Sequence, residues 1–293
     1  MNLIVTVLEI VAPVFLLALV GFIWVRMGFE YRVQFVTRLA MTLAVPCLIF
    51  TALMQTEVDP NALTTLFFAS LAAYGAIAAL GALGFWLAGL SQQTYLAPFV
   101  FGNTGNLGLP LALFAFGAEG LGYAMVVFAV MAVLSFTFGI WVVSGGGSAM
   151  KALKEPVVAA TLLGALFLWQ GWETPDFLTN ALDLIGQMAI PMMLITLGVA
   201  VARLTPGRIG QAIVLSLIKL ILCAAIAYTI GTAIGLGDIA RAVLVVQIAT
   251  PVAVTSYLLA EKYGGDADAV AGLVVVSTVM SVAAIPLLLA FLL

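Results

Sequence analysis

The sequence predicts an all-α integral membrane protein: ten transmembrane helices arranged as two inverted five-helix repeats, with helices four and nine broken and crossing. Three observations predict it. The 293 residues are 65% hydrophobic and 8% charged, with a mean hydropathy of +1.26, whereas a water-soluble domain carries roughly 25% charged residues. The apolar residues fall into ten runs, and the second five echo the first. One run is interrupted by a polar, glycine-rich stretch at 102–110 that a regular helix cannot accommodate.

A span needs about 20 apolar residues to cross the hydrocarbon. The runs are 3–26, 33–56, 62–90, 95–116, 120–143, 156–172, 177–202, 209–235, 239–260 and 270–293. No Lys or Arg precedes the first, so it reads as a retained span and not a signal peptide. The second and seventh are kinked by Pro46 and Pro191. The fourth and ninth are broken. Residues 144–155 form a polar linker, so the chain divides into a first repeat at 1–143 and a second at 156–293.

Lys and Arg gather in cytoplasmic loops. With both termini outside, Arg26, Arg32, Arg38, Lys151, Lys154, Arg203, Arg208 and Lys262 are cytoplasmic, Arg241 alone is outside, and Lys219 lies inside a span. The outer loops carry Glu57, Asp59, Glu119, Glu173, Asp176 and Asp238. The opposite orientation would invert this bias. The implied location is a bacterial inner membrane.

Composition also excludes functions. With no histidine, His-based zinc sites and Ser-His hydrolases are ruled out. The net charge of −3 and the lack of a basic patch argue against a nucleic-acid partner. Cys47 and Cys223 sit in apolar runs, which argues against a disulfide. The P-loop pattern of ATPases is absent.

The repeat shows in matched positions. Pro13 and Gly21 of span one correspond to Pro156 and Gly164 of span six. Ala44, Pro46 and Thr51 of span two correspond to Ala189, Pro191 and Thr196 of span seven, at an offset of 145 (46 to 191). An odd number of spans per repeat makes the second copy enter the membrane upside down. Inverted repeats characterise secondary transporters, whose sites lie near the midplane on discontinuous helices. Span nine is therefore expected to break where span four does, and it carries Pro251, the offset partner of Asn106. Two such breaks would present half-helix N-termini suited to an anion.

The stretch Gly102-Asn103-Thr104-Gly105-Asn106-Leu107-Gly108-Leu109-Pro110 resembles the signature of the auxin efflux carrier family. So does Leu259-Ala260-Glu261-Lys262-Tyr263-Gly264-Gly265-Asp266, with the segment from Val274 to Pro286 that follows. The likeness covers essentially the whole chain, and the short 144–155 linker makes it similar to compact bacterial members. The resemblance implies a scaffold of spans one, two, six and seven, a transport domain of the other six, an elevator-like movement and a homodimer. It implies organic anions such as malate, malonate or auxin as substrates. Related bile-acid symporters use sodium. No cofactor is expected; the coupling ion is H+ or Na+, and no metal site is assigned.

Candidate site residues follow from polarity at depth. Asn103, Thr104 and Asn106 lie about 13–18 Å into span four at 1.5 Å per residue. Their side chains suit a carboxylate or a cation, or else cap the half-helices. Gly102, Gly105, Gly108, Pro110 and Pro251 make the breaks. Lys219 is a charge costing roughly 3 kcal/mol at mid-membrane; it either attracts substrate or tethers carbonyls at the broken helix. Gln247, Thr250, Thr255 and Ser256 flank the second break and either complete the site or bond helix to helix. Glu9 and Asp183 are proton sites or carboxylates reaching outer water. Glu261, Asp266 and Asp268 cap the turn at Gly264-Gly265. Gly231 and Gly235 fit a small-residue packing motif.

These features favour a secondary transporter of small organic anions. A sensor or channel-like protein on the same scaffold is the alternative. An intramembrane aspartyl protease is disfavoured: Gly235-Leu236-Gly237-Asp238 matches its motif, but no second carboxylate shares the proton.

Overall fold

The computed structural model describes residues 3–55, 59–145 and 156–293. Glu57, Lys151 and Lys154 of the orientation argument, and most of the 144–155 linker, lie outside the described residues. The described residues are helical, with one isolated backbone bridge.

The first half contains α1 (Leu3–Arg26), α2 (Val33–Leu39), a π-helical turn (Ala40–Ala44), α3 (Val45–Met54), α4 (Pro60–Leu87), α5 (Gln92–Val100), a second π-turn (Thr104–Gly108), α6 (Leu109–Leu134), a third π-turn (Ser135–Gly139) and α7 (Ile140–Ser144). The second half contains α8 (Pro156–Gln170), α9 (Asp176–Gln187), α10 (Ala189–Arg203), α11 (Ile209–Ile234), α12 (Asp238–Ile248), α13 (Val254–Tyr263) and α14 (Ala267–Leu292). Asp59, Ser91 and Asp266 cap α4, α5 and α14, each side chain accepting a first-turn amide. Asp266 also pairs with Arg208 at 2.6 Å, so its end of the Gly264-Gly265 turn is the cap expected of it. Asp238 is exposed and pairs with Arg241, which leaves it no role in a carboxylate dyad. Both cysteines are free thiols.

Among the described residues, seven stretches are long and apolar enough to cross a membrane: 5–26, 33–54, 60–87, 104–144, 176–203, 209–234 and 267–292. The other three of the ten expected spans differ for physical reasons. Span six is a 15-residue helix, α8. Spans four and nine are divided. Their segments α5, α12 and α13 have 9, 11 and 10 residues, half of what the hydrocarbon requires. The 104–144 stretch is itself interrupted: Gly117, at φ 65° and ψ −155°, kinks α6 and separates two helical pieces, a conformation that favours glycine.

Some helix pairs pack more extensively than others. α1 lies along α10, and α3 lies along α8 and α9. α11 packs on α12, α14 and α4. The α1–α10 contact is backbone to backbone: a Cβ on Gly21 would collide with the Ile195 carbonyl, and one on Gly198 with that of Ala18. Between helices in lipid, where there is no hydrophobic drive, such close approach supplies the dispersion energy of association. Pro46 sits in the first turn of α3, directly after a π-turn, and Pro191 in the first turn of α10, directly after the α9 boundary. Both prolines at which kinks are expected therefore stand in the first turn of a helix. Leu107, Leu111 and Val246 join the smaller core around α1 and α10, while Ile248 and Val252 join the larger one. The interrupted segments thus lie where the two cores meet.

Candidate functional site

Both interruptions are local consequences of sequence, and they meet. After α5, Phe101 turns extended (φ −97°, ψ 114°). After α12, Pro251 has no N–H to give the Gln247 carbonyl four residues back. The Thr250 hydroxyl donates to that carbonyl instead, at 2.7 Å. The freed backbones then pair with each other: Gly102 and Val252 form an antiparallel bridge, and the Asn103 amide donates to the Pro251 carbonyl at 2.7 Å. Val252 N–H donates to Ser277 Oγ at 3.0 Å. At membrane depth unpaired backbone costs several kcal/mol per group, so each break is stable only beside the other.

Gly102 is required by this approach. A Cβ there would run into Thr250 Oγ1 and lie 2.9 Å from the Thr250 carbonyl oxygen. Beyond the break, the Asn103 carbonyl accepts from Leu107 and Gly108, which opens the π-turn, and Pro110 occupies the first turn of α6, where a missing N–H is harmless.

The pairing gives the site two unlike poles. On one, a cavity of about 100 Å³ is lined by the first-turn residues of both outgoing half-helices: Asn103, Gly105 and Asn106 from one, Val254 and Thr255 from the other. First-turn amides have no carbonyl to reach within their own helix and carry the positive end of the dipole. α2 and α10 line it too, through Thr37, Met193 and Thr196. All three π-turns reach the cavity, through Ala40 and Met41, Gly105 and Asn106, and Ser135. π-turns concentrate at functional sites. Asn103 is 5% exposed, and its Nδ2 amide has no partner.

On the other pole lie the C-terminal ends of α5 and α12, and here sits Lys219. Its Nζ donates to the Phe99 carbonyl at 2.7 Å. In an unbroken helix that carbonyl would receive the Asn103 amide, which has gone to Pro251. The lysine therefore replaces a lost helical hydrogen bond and places positive charge at a negative helix end. A small cavity of about 20 Å³, lined also by Ser216, Thr250 and Ser277, adjoins it.

Of the residues predicted from sequence, the fold brings Asn103, Asn106 and Thr255 together on the larger cavity. Thr250 and Lys219 line the smaller one. Thr104, Gln247 and Ser256 are buried beside the breaks and line neither, and Thr104 Oγ1 and both amide atoms of Gln247 lack partners. Asp183 accepts from Gln55 at 3.5 Å on a separate, wider cavity of about 690 Å³ that also holds Asp59 and Glu119; Glu9 is exposed. Sequence reasoning missed Thr37, Ser135 and Thr196. Thr196 also accepts from Tyr31, whose carbonyl oxygen takes a hydrogen bond from Arg203 Nη2 at 2.7 Å. The one available signal was the recurrence of Thr196 at the offset partner of Thr51.

A multi-pass helical membrane protein with two interrupted segments joined at a polar breach belongs, by its architecture, with transport proteins. The comparison with known families agrees: the chain belongs to the membrane transport protein family, the auxin efflux carrier family whose signature it carries, and the family model matches residues 6–151 and 140–289. That places it among transporters and not enzymes. It is 26% identical to an uncharacterized transporter of Methanothermobacter thermautotrophicus over 95% of this chain and 96% of that one. It is also 26% identical to an uncharacterized transporter of Methanocaldococcus jannaschii, with 64% of each chain aligned, so it spans less than two thirds of that relative. A Rhizobium meliloti protein named "Putative malonate transporter" is 24% identical over 83% of this chain and 82% of its own.

Proposed function

We propose that the protein is a secondary transporter of small organic anions, carboxylates in particular, working by an elevator-type alternation of access. The observation that carries this reading is the convergence of two half-helix N-termini and the unpartnered Asn103 amide on one cavity. Amide donors and dipole charge suit a carboxylate without a basic side chain. The relative named for malonate supports the same ligand class.

The elevator mechanism draws support from the extensive packing of α1 on α10 and of α3 on α8 and α9. One cavity wall belongs to α2 and α10 and another to the paired breaks, so sliding one past the other would carry the site. An inverted repeat draws support from Thr51 and Thr196, offset partners that line different cavities. In this reading both termini face outward, the protein acts as a homodimer in a bacterial inner membrane, and the energy comes from H+ or Na+.

The test is binding of carboxylates to purified protein carrying Asn103→Ala or Asn106→Ala, with and without sodium. Expression intact and binding lost is the expected result. Unchanged affinity in both variants would remove the site from this cavity.

A further inference from the structure

We infer that the site takes its ligand as a monoanion with an apolar body: a monocarboxylate, or a dicarboxylate still carrying one proton. This rests on the anion-transport reading and narrows it. None of the residues lining the cavity is ionisable. The elements that line it do carry charges, namely Arg38, Glu119, Arg203, Glu261 and Lys262, but none of these side chains reaches it. Arg203 is turned to the Tyr31 carbonyl, and Tyr31 touches the cavity only through Thr196. Lys219 faces the opposite pole, committed to Phe99.

The positive potential in the cavity therefore comes from two helix N-termini, each equivalent to about half an elementary charge. Together they balance about one negative charge. A second carboxylate would have no charged partner in a cavity lined only by neutral, largely apolar side chains, where an unpaired ion is penalised and takes up a proton if it can. The lining also holds the apolar side chains of Phe101, Phe128, Met131, Met193 and Leu258, with the neutral hydroxyls of Thr37, Ser135 and Thr196 between them. A single carboxylate would lie at the breaks with Asn103 Nδ2 and the half-helix amides, and the apolar side chains are left for the ligand's body. A volume of about 100 Å³, at 10–15 Å³ of such space per water, holds several waters or a ligand of comparable size.

The test uses the purified full-length protein and calorimetric titration with malonate, succinate, their monomethyl esters and an aromatic monocarboxylate, from mildly acidic to mildly alkaline pH. At least one monoester or monocarboxylate is expected to bind with an affinity flat across pH. The matching dicarboxylate is expected to weaken about tenfold per pH unit above its second ionisation, as its monoanion becomes scarce. Dicarboxylate affinity that persists unchanged in the fully dianionic range overturns the inference while leaving an anion site. The same pH dependence in the monoester also overturns it, because the titrating group would then belong to the protein. Failure of every member to bind at any pH overturns the anion reading itself.

Discussion

Gly102 and Val252 are backbone partners in an antiparallel bridge, although 150 residues separate them (102 to 252) and each lies in the middle of an interrupted helical segment. The bridge is the place where two incomplete helices complete each other. Its tolerance is set by Thr250, which a Cβ on Gly102 would strike with both Oγ1 and the carbonyl oxygen in range.

Gly102→Ala is therefore expected to destabilise the protein by about 1–3 kcal/mol, the usual range for overpacking a rigid contact. Gly108→Ala is expected to cost less, because the atom its Cβ meets is the far end of the Gln247 side chain, which can rotate away. Adding Thr250→Ala should recover part of the Gly102→Ala loss. Thermal unfolding of the detergent-solubilised protein checks all three, and equal losses for the two glycines would contradict the geometry.

Lys219 is expected to matter as a hydrogen-bond donor more than as a ligand contact. Lys219→Met leaves the Phe99 carbonyl unsatisfied, at about 1–3 kcal/mol for a buried polar group. It also removes a mid-membrane charge worth roughly 3 kcal/mol in the opposite sense. The two nearly cancel, so a small net change in melting temperature is expected. Lys219→Gln, which keeps a donor without the charge, should be at least as stable as Lys219→Met and should bind anions with near-normal affinity. A loss of binding in Lys219→Gln as complete as in Asn103→Ala would return the lysine to the ligand.

How much of this was legible in the sequence depends on the kind of signal. Glycines and prolines mark broken helices wherever they stand, so Gly102–Pro110 and Pro251 coincide with the two interruptions, and Asn103 and Asn106 line the cavity beside them. Depth along a helix carries no information about which pole a side chain faces. The sequence puts Lys219 at mid-span, and the fold turns it to the C-terminal end of α5, at the Phe99 carbonyl. The residue pairing was also out of reach: the repeat offset matches Pro251 with Asn106, whereas the contact joins Gly102 to Val252 and Asn103 to Pro251. π-turns have no sequence signature of their own, since tertiary packing decides whether a helix widens. Thr196 was hidden because a threonine in an apolar helix usually bonds back to its own turn, as this one does to Met192 at 2.7 Å.

Tyr31→Phe tests the part of the lining that α10 supplies. Since Thr196 Oγ1 donates to the Met192 carbonyl, the Tyr31 hydroxyl is the donor in the 2.7 Å bond between the two. Losing it is expected to cost about 0.5–1.5 kcal/mol. Burial pushes the Tyr31 phenol above its ordinary value of 10.0, against a smaller lowering by Thr196. A raised value in the folded state means that the associated stability is complete below pH 10.0 and is lost as pH climbs through the folded-state value. The native protein should therefore lose melting temperature above pH 10.0 more steeply than Tyr31→Phe does. Parallel curves would show that Tyr31 does not report on this titration.

The elevator proposal is tested by joining the two cavity walls. Thr37 belongs to α2 and Thr255 to α13, and both line the cavity. Cys47 and Cys223 are buried, so cysteines introduced at Thr37→Cys and Thr255→Cys would be the reactive pair. A cleavable thiol cross-linker across them should abolish transport in liposomes, and reductive cleavage should restore it. The control is Thr37→Cys with Thr196→Cys, where the same reagent enters the cavity but both anchors lie on the α2 and α10 wall. Transport that survives the first cross-link would mean that the walls need not move relative to one another, and the sliding mechanism would fail. Equal inhibition by both pairs would mean that the reagent merely plugs the cavity, which gives the sliding mechanism no support.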